Sequence, residues 1–150
     1  MPLQIALPEP SQEMASYVDA PDVRTWECLD LPLVVRRTVD RLDLRSPIAI
    51  DLIHGGYLHQ LVDRGIEAEL EKTGPTQIDG AAQAVLSKLR SGATPDVTWV
   101  LTVAGTMSDS AETLMISYPE GDSTRCEQVA VSIIKSATFL RRNEPRNGLH

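Results

Sequence analysis

Val97–Val103 reads VTWVLTV and Thr113–Tyr118 reads TLMISY, and the reading of these two runs decides the fold. In the first, Val97, Trp99, Leu101 and Val103 alternate with Thr98, Val100 and Thr102, the two-residue period of a half-buried strand. In the second, Leu114, Ile116 and Tyr118 share one face, and Thr113, Met115 and Ser117 share the other. Gly105 and the polar residues to Ser110 connect them, while Pro119 and Gly121 end the second run. The expected element is an antiparallel hairpin.

Working outward, the spacing predicts a helix on each side. Ile78, Ala81, Ala82, Val85, Leu86 and Leu89 fall on one helical face over Ile78–Arg90, with Thr76 as cap and Gly92 as stop. After the hairpin, Thr124 and Glu127 stand at capping-box spacing. Cys126, Val129, Ala130, Ile133, Ile134, Ala137 and Leu140 form the buried stripe of a closing helix. Arg141 and Arg142 follow it, where cations complement the helix dipole.

The first half reads as mainly helical. Pro2, Pro8 and Pro10 make residues 1–10 an extended arm, and a short helix is expected from Ser11 to Val18. Trp26 anchors the next segment. Asp30 and Pro32 open a helix to about Leu44, with Val34, Val35, Val39 and Leu42 inward and Arg36, Arg37, Asp40, Arg41 and Asp43 toward water. Residues 46–54 fit either a strand or a helix and lean to helix, bent at Gly55-Gly56. A further helix carries Leu58, Leu61, Val62, Ile66 and Leu70 and stops at Gly74-Pro75. The expected fold is therefore α+β, with a mainly helical N-terminal half and a C-terminal helix–strand–strand–helix built on the hairpin. It forms one domain over 11–142, with 78–141 as its C-terminal unit and 143–150 as a polar tail.

A chain of 150 residues with 42% hydrophobic content is long enough for one core. Aromatics at 4% leave few stacking platforms for bases or sugars, and a net charge of −7 disfavours a phosphate backbone, so nucleic acid is not an expected partner. No run approaches the length that spans a bilayer, so direct membrane insertion is not expected. The start, with no basic region and several prolines, is unlike a secretory leader. A cytoplasmic location follows if Met1 is the native start. Cys28 and Cys126 fit either two thiols or one disulfide.

Candidate chemistry is sparse. His54 and His59 are five residues apart, which is not one helical face, and with Asp51 or Asp63 they lack the remaining ligands of a metal site. Ordinary surface or interface histidines are the simpler reading. Gly55-Gly56 offers amides to an anion only weakly, and a hinge or close helix contact explains it better. Cys126 lies on an apolar stripe, where a thiol is inert. Arg36, Arg37, Arg41 and Arg45 are interleaved with Asp40 and Asp43, as on a solvated face, the sharper alternative being a dock for an acidic partner.

The segment from about Ile78 to Leu140 resembles the C-terminal domain of TolA and, more loosely, TonB-type energy transducers of the bacterial envelope. The matching residues are Pro119, Glu120, Gly121, Asp122 and, four further on, Cys126. The chain departs from that pattern in carrying Trp99 and no cysteine on the first strand, and Asn143–His150 in place of a third strand. The resemblance implies a periplasmic, non-enzymatic module that binds protein partners by adding their strands to an exposed sheet edge.

The expected function is accordingly protein–protein interaction, as an adaptor, without cofactor or metal. The hairpin residues Val97, Thr98, Val100, Thr102, Thr113, Met115 and Ser117 are the expected contacts. A two-stranded hairpin is marginal alone, so further strands come from the first half or from a second copy, and homo-oligomer formation stays open. The alternatives are a small acidic chaperone, inhibitor or immunity-type protein docking a basic partner, and a small enzyme using His54, His59 and Asp51.

Overall fold

The computed structural model describes residues 3–14, 22–41, 49–62, 68–91, 96–105 and 110–139. Its centre is a seven-stranded antiparallel sheet, not a hairpin under helices. In chain order the elements are β1 (Leu3–Gln4), β2 (Ser11–Glu13), β3 (Val23–Cys28), β4 (Val34–Arg41), α1 (Ala49–Val62), β5 (Ala68–Pro75), β6 (Gln83–Ser91), β7 (Asp96–Ala104), β8 (Ser110–Pro119), α2 (Ser123–Ser136) and β9 (Thr138–Phe139). The spatial order is β2-β3-β4-β8-β7-β6-β5, and β1 pairs separately with β9. The sheet is thus two local meanders joined where β4 meets β8, with Val34 opposite Ser117 and Arg41 opposite Ser110.

The predicted hairpin is present as β7 and β8, with Val97 opposite Tyr118 and Leu101 opposite Leu114. The closing helix is present as α2, whose Cys126, Ala130 and Ile133 are buried to 1% exposure or less, but it ends at Ser136: Ala137 is extended, Thr138–Phe139 form β9, and Leu140 lies outside the described residues. Its start differs from the expected capping box: Asp122 precedes it without a side-chain cap, and the Glu127 carboxylate accepts from Lys88 Nζ at 2.7 Å.

The mainly helical first half is corrected. Residues 34–41 form a strand because β-branched Val34, Val35, Thr38 and Val39 suit an extended chain, and Val35 and Arg37 face inward while Val34 and Arg36 face out. Of the helix expected at Ser11–Val18, Ser11–Glu13 form strand β2 and Met14 lies in no helix or strand, while residues 15–18 lie outside the described residues. The lean toward helix at 46–54 is correct where described, but α1 runs unbroken through Gly55 and Gly56 to Val62. Leu58, Leu61 and Val62 belong to α1, whereas Leu70, Gly74 and Pro75 sit on strand β5. Ile66, like residues 143–150, lies outside the described residues.

The helix expected at Ile78–Arg90 is strand β6. It is buried on both faces: Ala84 and Leu86 join the main core, while Ser87 and Leu89 lie under the opposite layer. Two-sided burial erases the alternation that marks a strand, and the remaining apolar run fits helical spacing equally well. The segment before it turns at Gly80, where φ is +83° and a β-carbon would collide with the Phe139 carbonyl.

α2 covers one face of the sheet and α1 the other. The α2 side holds the main core, where Val35, Leu86, Trp99, Leu101, Val103, Leu114 and Ile116 meet Cys126, Ala130 and Ile133. The α1 side holds a small cluster of Ile50, Ala104 and Ala111 with Ile53 packed against it.

Candidate functional site

Cross-strand register sorts the seven expected contact residues. Thr98, Val100 and Thr102 of β7 and Thr113, Met115 and Ser117 of β8 all lie on the α1 face, while Val97, in register with Tyr118 and Arg90, lies on the α2 face. Their main chain is already committed. β7 pairs with β6 and β8, and β8 pairs with β7 and β4, so neither has an edge to offer an incoming strand. Among the described residues the sheet edges are β2 and β5. Both are blunted: β2 is three residues long, and β5 carries Lys72, Pro75 and a register shift between Leu70 and Lys72.

The α1 face divides into a covered and an uncovered part. Five side chains join in a line, four of them buried under α1 and exposed Thr73 at one end. Thr73 Oγ1 lies 2.8 Å from Ser87 Oγ, which lies 2.7 Å from His54 Nε2. His54 Nδ1 is 2.8 Å from Thr102 Oγ1, and that oxygen is 3.1 Å from Thr113 Oγ1. His54 is 3% exposed and Ser87 fully buried. Burial holds the imidazole below its ordinary range, with the charge of Asp51 working weakly the other way. One turn on, the Tyr57 hydroxyl donates to Asp40 Oδ2 at 2.6 Å, and its proton is held more tightly than in water by burial and then by that bond. The Ser–His contact resembles a nucleophile and its base, yet the serine has no path to substrate. His59 and Asp51 are exposed and do not join His54. Among the described residues no three His, Cys, Asp or Glu side chains converge as a metal site.

The uncovered part lies toward β2, β3 and β4. One cross-strand row runs Met14, Thr25, Arg36, Met115, and the next runs Glu27, Val34, Ser117, Thr98. Met14 is 44% and Val34 38% exposed, and Arg36 is exposed between them. Met115, Thr98 and Ser117 are half-buried, with the two hydroxyls 3.1 Å apart. Composition and spacing in β4 left this patch unseen, because Arg36 and Arg37 were assigned to one wet helical face. On a strand they part. Arg37 enters the α2 face, 3.1 Å from a carboxylate oxygen of fully buried Glu112, whose other oxygen accepts from Leu3 N at 2.9 Å. The signal for Glu112 was in the sequence, since it shares the parity of Leu114, Ile116 and Tyr118. Arg41 is exposed, and Arg45 lies outside the described residues, so the arginines form no single patch.

Gly55 and Gly56 are interior to α1 and meet nothing within 4 Å at the position of a β-carbon, which removes both the anion-loop and the hinge readings. A cleft of about 580 Å³ lies between Ile50 and Asp51 of α1 and residues 75–85. Its charged side chains are Asp51 and Asp79, and it holds no base paired with a nucleophile. Cys28 and Cys126 are free thiols, and burial pushes that of Cys126 up.

No family model matches the chain, and no curated protein matches it. Solved structures do. The chain is similar to the cyanobacterial PsbP of Synechocystis sp. PCC 6803, with a TM-score of 0.63 at 14% identity over 91% of this chain and 92% of that one. It is similar to the Ran-binding protein Mog1p of Saccharomyces cerevisiae, with a TM-score of 0.62 at 11% identity, covering 93% and 90%. LpqN of Mycobacterium tuberculosis, involved in cell envelope biogenesis, gives a TM-score of 0.62 at 11% identity, covering 93% and 83%. These matches replace the expected TolA and TonB likeness, whose helix–hairpin–helix unit is here part of a continuous seven-stranded sheet. At such identities the likeness is one of architecture, and the chain has the fold shared by PsbP, Mog1p and LpqN.

Proposed function

We propose that this chain is a non-enzymatic protein-binding module that docks its partner on the uncovered part of the α1 face. The observation that carries the reading is that Met14 and Val34, two exposed apolar side chains, share the uncovered face with half-buried Met115, Val34 next to it and Met14 at the far end of its row, on a sheet whose edges are blunted. Apolar side chains on an open sheet face favour a partner that covers them over one that adds a strand. Strand addition at β7 or β8 would first require unzipping the sheet. Mog1p, of the same fold, is a Ran-binding protein, which supports a binding role without naming a partner here. The full burial of Ser87 supports the absence of catalysis at the Ser–His contact.

The test is capture of partners by the immobilised chain with and without Val34→Asp and Met14→Asp, eluted in a salt gradient. The proposal expects a partner retained at about 0.5 M salt, where exposed charge pairs are screened, and lost with either substitution. A partner that elutes at low salt and ignores both substitutions would replace it with the acidic reading, in which the net charge of −7 draws a basic protein.

A further inference from the structure

α1 is seated on the sheet in an unusual way for a helix covering a β-face. Among the described residues its apolar cluster is small, Ile50 and Ile53 against Ala104 and Ala111, with Val100 and Leu89 also buried on this face of the sheet. The helix is also held by polar contacts: His54 between Ser87 and Thr102, and Tyr57 to Asp40. Leu52, on the outer side, is 67% exposed.

The line of hydroxyls suits a neutral imidazole. One ring nitrogen donates, the other accepts, and the hydroxyls on each side pass the same sense along to Thr73 and Thr113. A second proton turns both nitrogens into donors. Ser87 or Thr102 must then reverse, with its own partner following, and a full charge sits in a buried site.

No charged group among the described residues bonds the ring. On α1, Asp51 is exposed three residues back, and His59 is exposed beyond Tyr57. On β4, Asp40 is engaged by Tyr57, and Arg36 adds a like charge on the same face. The nearest charges of the strands beneath, Lys88 of β6 and Glu112 of β8, project to the α2 face, where Lys88 meets Glu71 of β5 and Glu127 of α2. Lys72 of β5 is in register with Lys88 and points the same way. The imidazolium therefore has hydroxyl dipoles to bond and no bonded carboxylate, with only the charge of exposed Asp51 in its favour.

We propose that α1 is a pH-gated lid: its His54 clasp holds it on the sheet near neutral pH and releases it in mildly acid solution, uncovering Thr102, Thr113, Ala104 and Ala111 next to the docking rows. This rests on the docking proposal for its purpose, though not for its occurrence. Release would join the covered and uncovered parts of the face into one larger surface.

Hydrogen exchange on the full chain tests it, at about pH 7.5 and about pH 5.5 with intrinsic rates corrected, for the natural sequence and for His54→Gln. Residues 49–62 of the natural chain are expected to lose about tenfold or more in protection at the lower pH while β7 and β8 keep theirs. His54→Gln, which keeps a donor and an acceptor but does not titrate, is expected to show no such loss. Equal loss in α1 and β7, or the same loss in His54→Gln, overturns the lid. If that variant does not fold, ring titration of the natural chain by NMR decides. The proposal needs His54 to titrate below the ordinary imidazole range with α1 resonances following, and an ordinary His54 titration with unmoved α1 overturns it. The Val34→Asp capture experiment at neutral pH tests docking alone, so either proposal can fail without the other.

Discussion

Replacing Glu112 by Leu removes the one carboxylate that satisfies two buried donors. Arg37 loses the acceptor for its Nε at 3.1 Å, and its Nη2 already has no partner among the described residues. Leu3 N loses its acceptor at 2.9 Å. Breaking a buried ion pair from one side costs about 3–5 kcal/mol, and an unsatisfied buried amide about 1–3 kcal/mol more. The sum approaches the total stability of an ordinary domain, about 5–15 kcal/mol, so Glu112→Leu is expected to be barely folded. Arg37→Met alone leaves a carboxylate that escapes by protonation. Burial already raises the Glu112 carboxyl, and losing Arg37 removes an influence that lowers it. A carboxyl that binds protons more tightly folded than unfolded adds stability as pH falls, so the Arg37→Met deficit should shrink between neutral pH and the ordinary carboxyl range. The double variant Arg37→Met/Glu112→Leu removes both charges and leaves only the Leu3 amide unpaired, a loss of about 1–3 kcal/mol offset by apolar packing. Urea unfolding of the four proteins at neutral pH measures all of this. The reasoning fails if the double variant is as unstable as Glu112→Leu, or if the two single losses add.

The natural chain should lose stability as pH falls below about 6.5, because His54 binds its proton less readily folded than unfolded, and His54→Leu should flatten that part of the profile in thermal unfolding. Trp99→Phe removes the indole donor, 3.0 Å from the Tyr118 hydroxyl, and weakens a Lys88 contact 5.2 Å from the ring centre; a loss of about 1–2 kcal/mol in urea is expected. Gly80→Ala should cost more than about 1 kcal/mol, since its backbone is left-handed and the new methyl meets the Phe139 carbonyl. Val34→Asp should change urea stability by less than about 1 kcal/mol while abolishing partner capture, separating surface from scaffold.

Legibility followed the number of faces an element buries. The partly exposed ends of β7 and β8, and the one-sided helix α2, showed their periods plainly because water on one side leaves polar residues at regular intervals. β6 did not, since Ala84 and Leu86 serve one layer and Ser87 and Leu89 the other. β4 failed for a different reason: an inward arginine looked like a surface residue, and nothing local announced Glu112, 75 residues away, as its partner. The site suffered likewise. Six of the seven expected contacts do share a face, but whether a threonine there is covered depends on α1, whose seat joins residues far apart in sequence. Met14 drew no notice and Val34 reads as a buried helical position, because a docking face is made by register across strands, and register is written in no single segment.

The junction of β4 with β8 has a consequence in time as well as in space. Each meander brings together neighbours in the chain, whereas Val34 must find Ser117 and Arg41 must find Ser110 across everything between them. Closing that long loop comes before the contacts that reward it, so folding should be slow and its late step should be this one zipper. Until it closes, two long strands, β4 with three valines and β8 with Leu114, Met115 and Ile116, stand as bare edges, the kind of surface on which one chain pairs with another. The blunted edges of the finished sheet give no protection at that stage, and yield during synthesis should depend more on how quickly β4 reaches β8 than on the final stability of the fold.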